Sequence, residues 1–222
     1  MNKCIVIAPH PDDETLGCGG TILKHKSNGD EVYWLIITKI SVEDGWSEKA
    51  VNKQPIQIEK VAKEYDFDYV HKLDFPAKRL DTIPMADLVE KISAILKELK
   101  PDTVYINNRL DIHTDHQVVF NAAISCTKNF RFPFIKRVFI YETISETEFF
   151  PPFSGSSFQP NVFVDVEIFF QEKCKIMLIY DSEVMKPPFP RSIEAIKALG
   201  KYRGSRIGVD YAESFMLIYE KL

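Results

Sequence analysis

The sequence predicts an α/β fold, a Rossmann-like three-layer α/β/α sandwich with a mostly parallel sheet, formed by a single domain over residues 1–222. Three observations carry this expectation. Short apolar runs, CIVIA at 4–8 and VYWLIIT at 32–38 foremost, lack polar alternation, as strands covered on both faces do. Segments with helical spacing separate them in a repeating strand–helix–strand order. The chain, 222 residues with 45% hydrophobic content, holds enough apolar material for one ample core.

The elements follow in order. After CIVIA, the stretch TLGCGGTILKHKSNGD has helical spacing and is ended by Asn28-Gly29, and VYWLIIT closes a βαβ unit. A helix across about 47–65 precedes the strand-like FDYVHKLDF, and a helix across 85–99 presents Leu88, Val89, Ile92, Ile95, Leu96 and Leu99. The strand TVYIN follows, then a helix over about 115–128 and the strand RVFIYET. From 146 to 163 the composition turns to Phe, Pro and Ser, which predicts a loop. A helix at 167–181, the proline-punctuated KPPFPRS, a helix near 191–201 and a last strand SFMLIYE complete the chain.

Composition narrows the function. A net charge of -4 gives no electrostatic basis for binding nucleic acid or an anionic membrane surface. No apolar run reaches the roughly 18–20 residues of a membrane span, and CIVIA is too short for a signal-peptide core, so a cytoplasmic location is expected. Cys4, Cys18, Cys126 and Cys174 are scattered without CxxC spacing, which suits reduced thiols. Any metal then needs His and carboxylate ligands. His25 and His71 stand without acidic neighbours at ligand spacing and read as surface or edge residues.

The chemistry concentrates in two short motifs. PHPDDE, with His10, Asp12, Asp13 and Glu14, follows the carboxyl end of the first strand, where open parallel sheets bind ligands. Adjacent carboxylates repel, and a cation among them resolves the repulsion. HPDDE alone also suits a helix N-cap, but NNRLDIHTDHQ places His113, Asp115 and His116 after a second strand end, and the two groups converge if those strands are neighbours. Two ligands from the first motif and one from the second make a catalytic metal site with an open position, leaving an Asp and a His for acid–base work. GCGG matches neither a dinucleotide fingerprint nor a P-loop, so no nucleotide cofactor is expected.

APHPDDETLGCGGTI and the later HTDH resemble the signature of the PIG-L/LmbE family of zinc-dependent N-acetylglucosaminide deacetylases, in its bacterial branch, and RGSRIGVDYAESF is similar to family sequence near the C-terminus. The resemblance implies that His10, Asp13 and His116 hold the metal, that Asp12 is the general base, and that protonated His113, steadied by Asp115, stabilises the tetrahedral intermediate. It implies zinc as the cofactor, although a two-histidine, one-carboxylate set also accepts iron(II). The substrate would be an N-acetylglucosamine-containing small molecule, giving acetate and a free amino sugar. The alternatives are a metal-dependent amidase acting on another small metabolite, or a non-catalytic, metal-stabilised sugar-binding protein. Many relatives carry an arginine before the Glu of the second helix. This chain offers only Lys53 and Lys60 nearby, so Lys53 and Arg109 are candidates for substrate contact, with Arg79 a further one. The aromatic stretch 149–163 is a candidate substrate wall or homo-oligomer contact.

Overall fold

The computed structural model describes residues 1–151 and 157–222. Among them are seven strands, β1 (Lys3–Ala8), β2 (Glu31–Lys39), β3 (Tyr69–Pro76), β4 (Thr103–Asn107), β5 (Arg137–Tyr141), β6 (Val162–Asp165) and β7 (Ala212–Glu220). Six helices join them: α1 (Asp13–Ser27), α2 (Glu48–Glu64), α3 (Met85–Leu99), α4 (Thr114–Ser125), α5 (Phe170–Met177) and α6 (Ile193–Ser205). The sheet order is β3-β2-β1-β4-β5-β7-β6. β1 to β5 are parallel, and the β7–β6 edge joins antiparallel.

The layers follow from alternation along buried strands. Cys4, Val6 and Ala8 of β1 face a core shared with Leu16 of α1, Val61 of α2, Phe170 of α5 and Ile196 of α6. Ile5 and Ile7 face the opposite core, with Leu88, Ile92 and Leu96 of α3 and Val119 and Ala122 of α4. Both faces of the sheet are thus covered, as its continuous apolar runs require. The sandwich expected from the sequence is the one observed.

Helix α1 is drawn tightly onto the sheet. A Cβ on Gly17 would lie 2.2 Å from a ring carbon of Tyr141, so only glycine permits this approach. A buried ion pair pins the same helix: Lys173 Nζ of α5 donates to Glu213 Oε1 of β7 (2.6 Å), and the two oxygens of Glu213 accept the Gly20 and Thr21 amides at 2.8 Å each.

Two sequence expectations change. The 146–163 loop ends in strand β6 from Val162, and residues 152–156 of that stretch lie outside the described residues. The 167–181 helix is shorter, Phe170–Met177, because Val166 to Phe169 is held in turns rather than in helical pairing. No described helix is long and apolar enough to cross a membrane.

Candidate active site

β1 and β4 lie side by side, with Cys4 paired to Thr103 and Ile7 to Ile106, so the segments leaving their carboxyl ends meet above the sheet. The first carries His10, Asp12 and Asp13 into α1, and the second carries Asp111 and His113 into α4. Asp12 sits at φ 124°, ψ −28°, in the region that favours glycine. Its carbonyl accepts the Leu16 amide at 2.8 Å and its own amide donates to Glu14 Oε2 at 2.9 Å, so the strained residue is fixed on both sides.

Three atoms converge at this junction. His116 Nε2 lies 3.3 Å from His10 Nδ1 and 3.3 Å from Asp13 Oδ2, and His10 Nδ1 lies 3.5 Å from Asp13 Oδ2. A tetrahedral ion with ligand bonds of about 2.0–2.2 Å separates its ligand atoms by about 3.3–3.6 Å, so the triangle has the edge length a zinc-like ion needs. The outer ring nitrogens are already committed: His10 Nε2 donates to Asp115 Oδ2 (3.0 Å) and His116 Nδ1 to Asp111 Oδ2 (2.8 Å). Those bonds aim the inner nitrogens at the place a metal would take. Asp13 Oδ1 is buried without a hydrogen-bond partner, a deficit that a cation makes good. The residues therefore fit a divalent metal.

Electrostatics agree with that fit. Burial opposes charge on His116, yet Asp13 and Asp111 outweigh it and hold its pKa up at about 10. Burial also opposes ionisation of Asp13, but His116 and His10 hold its carboxyl well below the usual range. His10 is raised against burial by its bonds to Asp115 and Asp13. The metal-free cluster thus binds a proton where a metal would go.

Asp12 and His113 stand beside the triangle. Burial pushes the Asp12 carboxyl well above its ordinary value, against the pull of Arg191, whose Nη1 donates to Asp12 Oδ2 at 2.9 Å. His113 is the N-cap of α4, and its Nδ1 accepts the Asp115 amide at 3.1 Å, which leaves Nε2 to carry the proton. Burial together with the His10 and His116 charges lowers its pKa to about 4. Glu14 is fully buried and pushed up to about 7 by burial, and it accepts bonds from the hydroxyls of Thr15 (2.6 Å) and Tyr180 (2.8 Å). His10, Asp12 and His113 line a cavity of about 490 Å³, walled by residues 46–57, by Ala77 and Lys78, and by Tyr180, Ser182, Glu183 and Arg191.

Some expectations need correction. The Asp115 carboxylate does not hydrogen-bond His113: it holds His10 and accepts the Lys78 and Leu80 amides (2.6 and 3.2 Å), because α4 turns that side chain toward the first motif. Burial and the neighbouring imidazoles lower the His113 pKa to about 4, which in the metal-free site favours the neutral ring over the cation expected from the sequence. Arg109 is exposed and lies outside the cavity, since it leaves β4 on the solvent side of the loop. Lys53 does line the cavity, where it pairs with Asp181, whereas Arg79 is turned to Asp44 (2.9 Å). His25 is half-buried and bonded to Asp30 and Tyr105 (both 2.8 Å), an internal network rather than an edge residue. Sequence reasoning missed two residues. Asp111 was visible only as one more carboxylate in NNRLDIHTDHQ, and Arg191 stands inside KPPFPRS, far along the chain from its partner.

Comparison with known proteins places this geometry. The diacetylchitobiose deacetylase of Thermococcus kodakarensis is 22% identical over 98% of this chain and 84% of its own length. The conserved protein TT1542 of Thermus thermophilus superposes with a TM-score of 0.79 and 26% identity, over 100% of this chain and 97% of that one. The N,N'-diacetylchitobiose deacetylase of Pyrococcus horikoshii gives a TM-score of 0.76 at 21% identity, covering 98% and 84% of the two chains. Residues 5–127, over half the chain and the part that bears both ligand motifs, match the family model PIG-L, GlcNAc-PI de-N-acetylase, and the chain belongs to that family.

Proposed function

We propose that this protein is a metal-dependent N-deacetylase that hydrolyses the acetamide of an N-acetylglucosamine-containing small molecule to acetate and a free amino sugar. The observation that carries the reading is the triangle of His10 Nδ1, Asp13 Oδ2 and His116 Nε2, which meets the cavity at His10, with Asp12 and His113 lining the cavity beside it. Family membership and the deacetylase relatives support the same reaction class.

His10, Asp13 and His116 would hold the metal, zinc being the ion that their donor set and spacing suit. Bound there, the ion supplies Lewis acidity and acidifies the attacking water. The chain's own groups do the rest. Asp12 takes the proton from the water as its oxygen bonds to the acetyl carbon, and the raised pKa makes it a stronger base than an ordinary carboxylate. Arg191 keeps that carboxylate turned toward the cavity. His113, with Nδ1 occupied by the Asp115 amide, donates a hydrogen bond from its Nε2–H to the carbonyl oxygen as negative charge gathers there and keeps its proton. When the C–N bond breaks, Asp12 returns its proton to the departing amine.

The test is amine release from a panel of N-acetylglucosaminides by metal-stripped protein, by protein with zinc restored, and by Asp12→Asn. The expected result is turnover that requires metal and falls by about 10²–10⁴ in Asp12→Asn while metal content stays the same. Full activity in Asp12→Asn would overturn the assignment of the base.

A further inference from the structure

We propose that the turn after β5, residues 143–148, positions both halves of the site: Thr147 holds the metal half through Asp111, and Glu146 holds the base half through Arg191. The base half rests on the deacetylase reading above, whereas the metal half needs only the ligand triangle.

The sheet order puts the turn within reach of both. β5 pairs with β4, Tyr141 against Asn107, so the chain leaving β5 runs beside the chain that carries Asp111 into α4. The Ile112 amide donates to the Glu146 carbonyl at 3.0 Å, which ties the turn to the second ligand motif. The turn is closed by the Glu146 and Thr147 amides, which donate to the Thr143 carbonyl at 3.1 and 2.9 Å. Neither Thr147 nor Glu146 lines the cavity, so each acts through another residue.

The Thr147 hydroxyl oxygen accepts the Thr143 amide at 2.9 Å, and its one proton goes to Asp111 Oδ1 at 2.6 Å. With Oδ1 so engaged, Oδ2 is left to meet His116 Nδ1 at 2.8 Å. A chain of amide, hydroxyl, carboxylate and imidazole thus orients the ring whose Nε2 belongs to the ligand triangle.

Arg191 spans from the turn to the base because its guanidinium is a planar fork. Nη1 donates to Asp12 Oδ2 at 2.9 Å, while Nε donates to Ser145 Oγ at 2.7 Å and Nη2 to Glu146 Oε1 at 3.1 Å. The Ser145 hydroxyl donates to the same Glu146 oxygen at 3.3 Å. Ser145 sits at φ 81°, in the region that favours glycine, and this strained backbone stands where its side chain meets Arg191. Arg191 also meets Glu183 at 3.2 Å, but that side chain is 41% exposed. Glu146 is 8% exposed, and Arg191 is its one ion-pair partner among the described residues. A buried carboxylate with a single cation holds that cation firmly, so Glu146 is the anchor of the fork.

The experiment compares Thr147→Val, Thr147→Ser, Glu146→Ala and Glu146→Gln with the parent. Zinc affinity is measured by competition with a chelator, and kcat and KM on zinc-saturated protein with the best substrate of an N-acetylglucosaminide panel. Thr147→Val keeps the shape without the hydroxyl and should weaken zinc binding about tenfold, whereas Thr147→Ser should stay within about threefold of the parent. Should Thr147→Val not fold, Thr147→Ala takes its place with the same expectation. Glu146→Ala should lower kcat about tenfold with KM and zinc affinity unchanged, and Glu146→Gln, which keeps an oxygen for Nη2, should recover most of that loss. A merely structural turn would lower stability in all four without this division. Parent-like zinc affinity in the folded variant lacking the hydroxyl, or no recovery in Thr147→Ser, overturns the metal half. Parent-like kcat in Glu146→Ala, or no recovery in Glu146→Gln, overturns the base half. If no substrate releases amine, the deacetylase reading fails, and the base half is read from calorimetric binding of acetohydroxamate to zinc-loaded protein, since a well-placed Asp12 accepts its hydroxyl proton. Binding about tenfold weaker in Glu146→Ala, the factor that about 1.4 kcal/mol represents, then upholds the positioning role, and equal affinity rejects it.

Discussion

Replacing Asp111 by Asn tests whether the metal site is built as its hydrogen bonds indicate. The Asp111 carboxylate is fully buried, accepts the His116 Nδ1 proton at 2.8 Å through Oδ2, and accepts the Thr147 hydroxyl at 2.6 Å through Oδ1. Asparagine has the same shape but only one accepting atom. If its oxygen stays with Thr147, the amide NH₂ faces His116 Nδ1 and drives the ring proton to Nε2, the atom that should ligate. If it turns, the Thr147 hydroxyl loses its acceptor in the interior. Either outcome weakens metal binding. Partners of this kind are worth about 10- to 100-fold in affinity, or about 1.4–2.7 kcal/mol, and the burial of both alternatives points to the upper part of that range. Competition against a chelator of known zinc affinity measures the change, with circular dichroism to establish folding. Affinity within twofold of the parent in a folded variant would refute the claim that Asp111 sets the His116 tautomer.

Further predictions concern the proton, the base and the core. Because the metal-free fold holds His116 at about 10, above its ordinary 6.5, the ring is protonated throughout the neutral range and must lose that proton to ligate. Metal affinity should therefore rise by about tenfold per pH unit between about pH 6 and 8, and a pH-independent affinity would contradict the cluster's electrostatics. Glu14→Ala removes the acceptor that holds the strained Asp12 amide, so kcat should fall about tenfold with KM and metal content unchanged, since the strain at Asp12 is worth about 1–3 kcal/mol. Lys173→Met leaves Glu213 buried and unpaired, at a cost of about 3–5 kcal/mol in chemical denaturation, toward the lower end because two backbone amides still hold the carboxylate. Adding Glu213→Gln should recover part of that loss.

Most of the architecture was legible because β1, β2 and β4 are buried on both faces and advertise it as unbroken apolar runs. The spacing of Leu88, Ile92 and Leu96 likewise gives α3 with its observed bounds. Strand β6 was hidden, since three of its four residues are half-buried and Asp165 is exposed at the sheet edge, with no strong pattern. In the site, the three ligand positions could be read because each motif follows a strand end and the two strands are neighbours. Arg191 could not, because nothing local in KPPFPRS shows that the segment after α5 folds back over Asp12. Nor could the direction of the Asp115 side chain, which depends on how α4 sits against Lys78 and Leu80. Periodicity reports which face an element buries, but not which partner its polar groups meet.

The cavity's floor and its walls have different origins. The floor comes from two strand ends locked by short hydrogen bonds, while the walls come from α2, the loop before it and the segment 180–191. The part that performs hydrolysis and the part that recognises a conjugate can therefore drift independently over evolutionary time. Exchanges along α2 would reshape the cavity while the floor persisted. Ancestry read from the two ligand motifs then speaks to the reaction, and identity of the conjugate has to be sought in the walls.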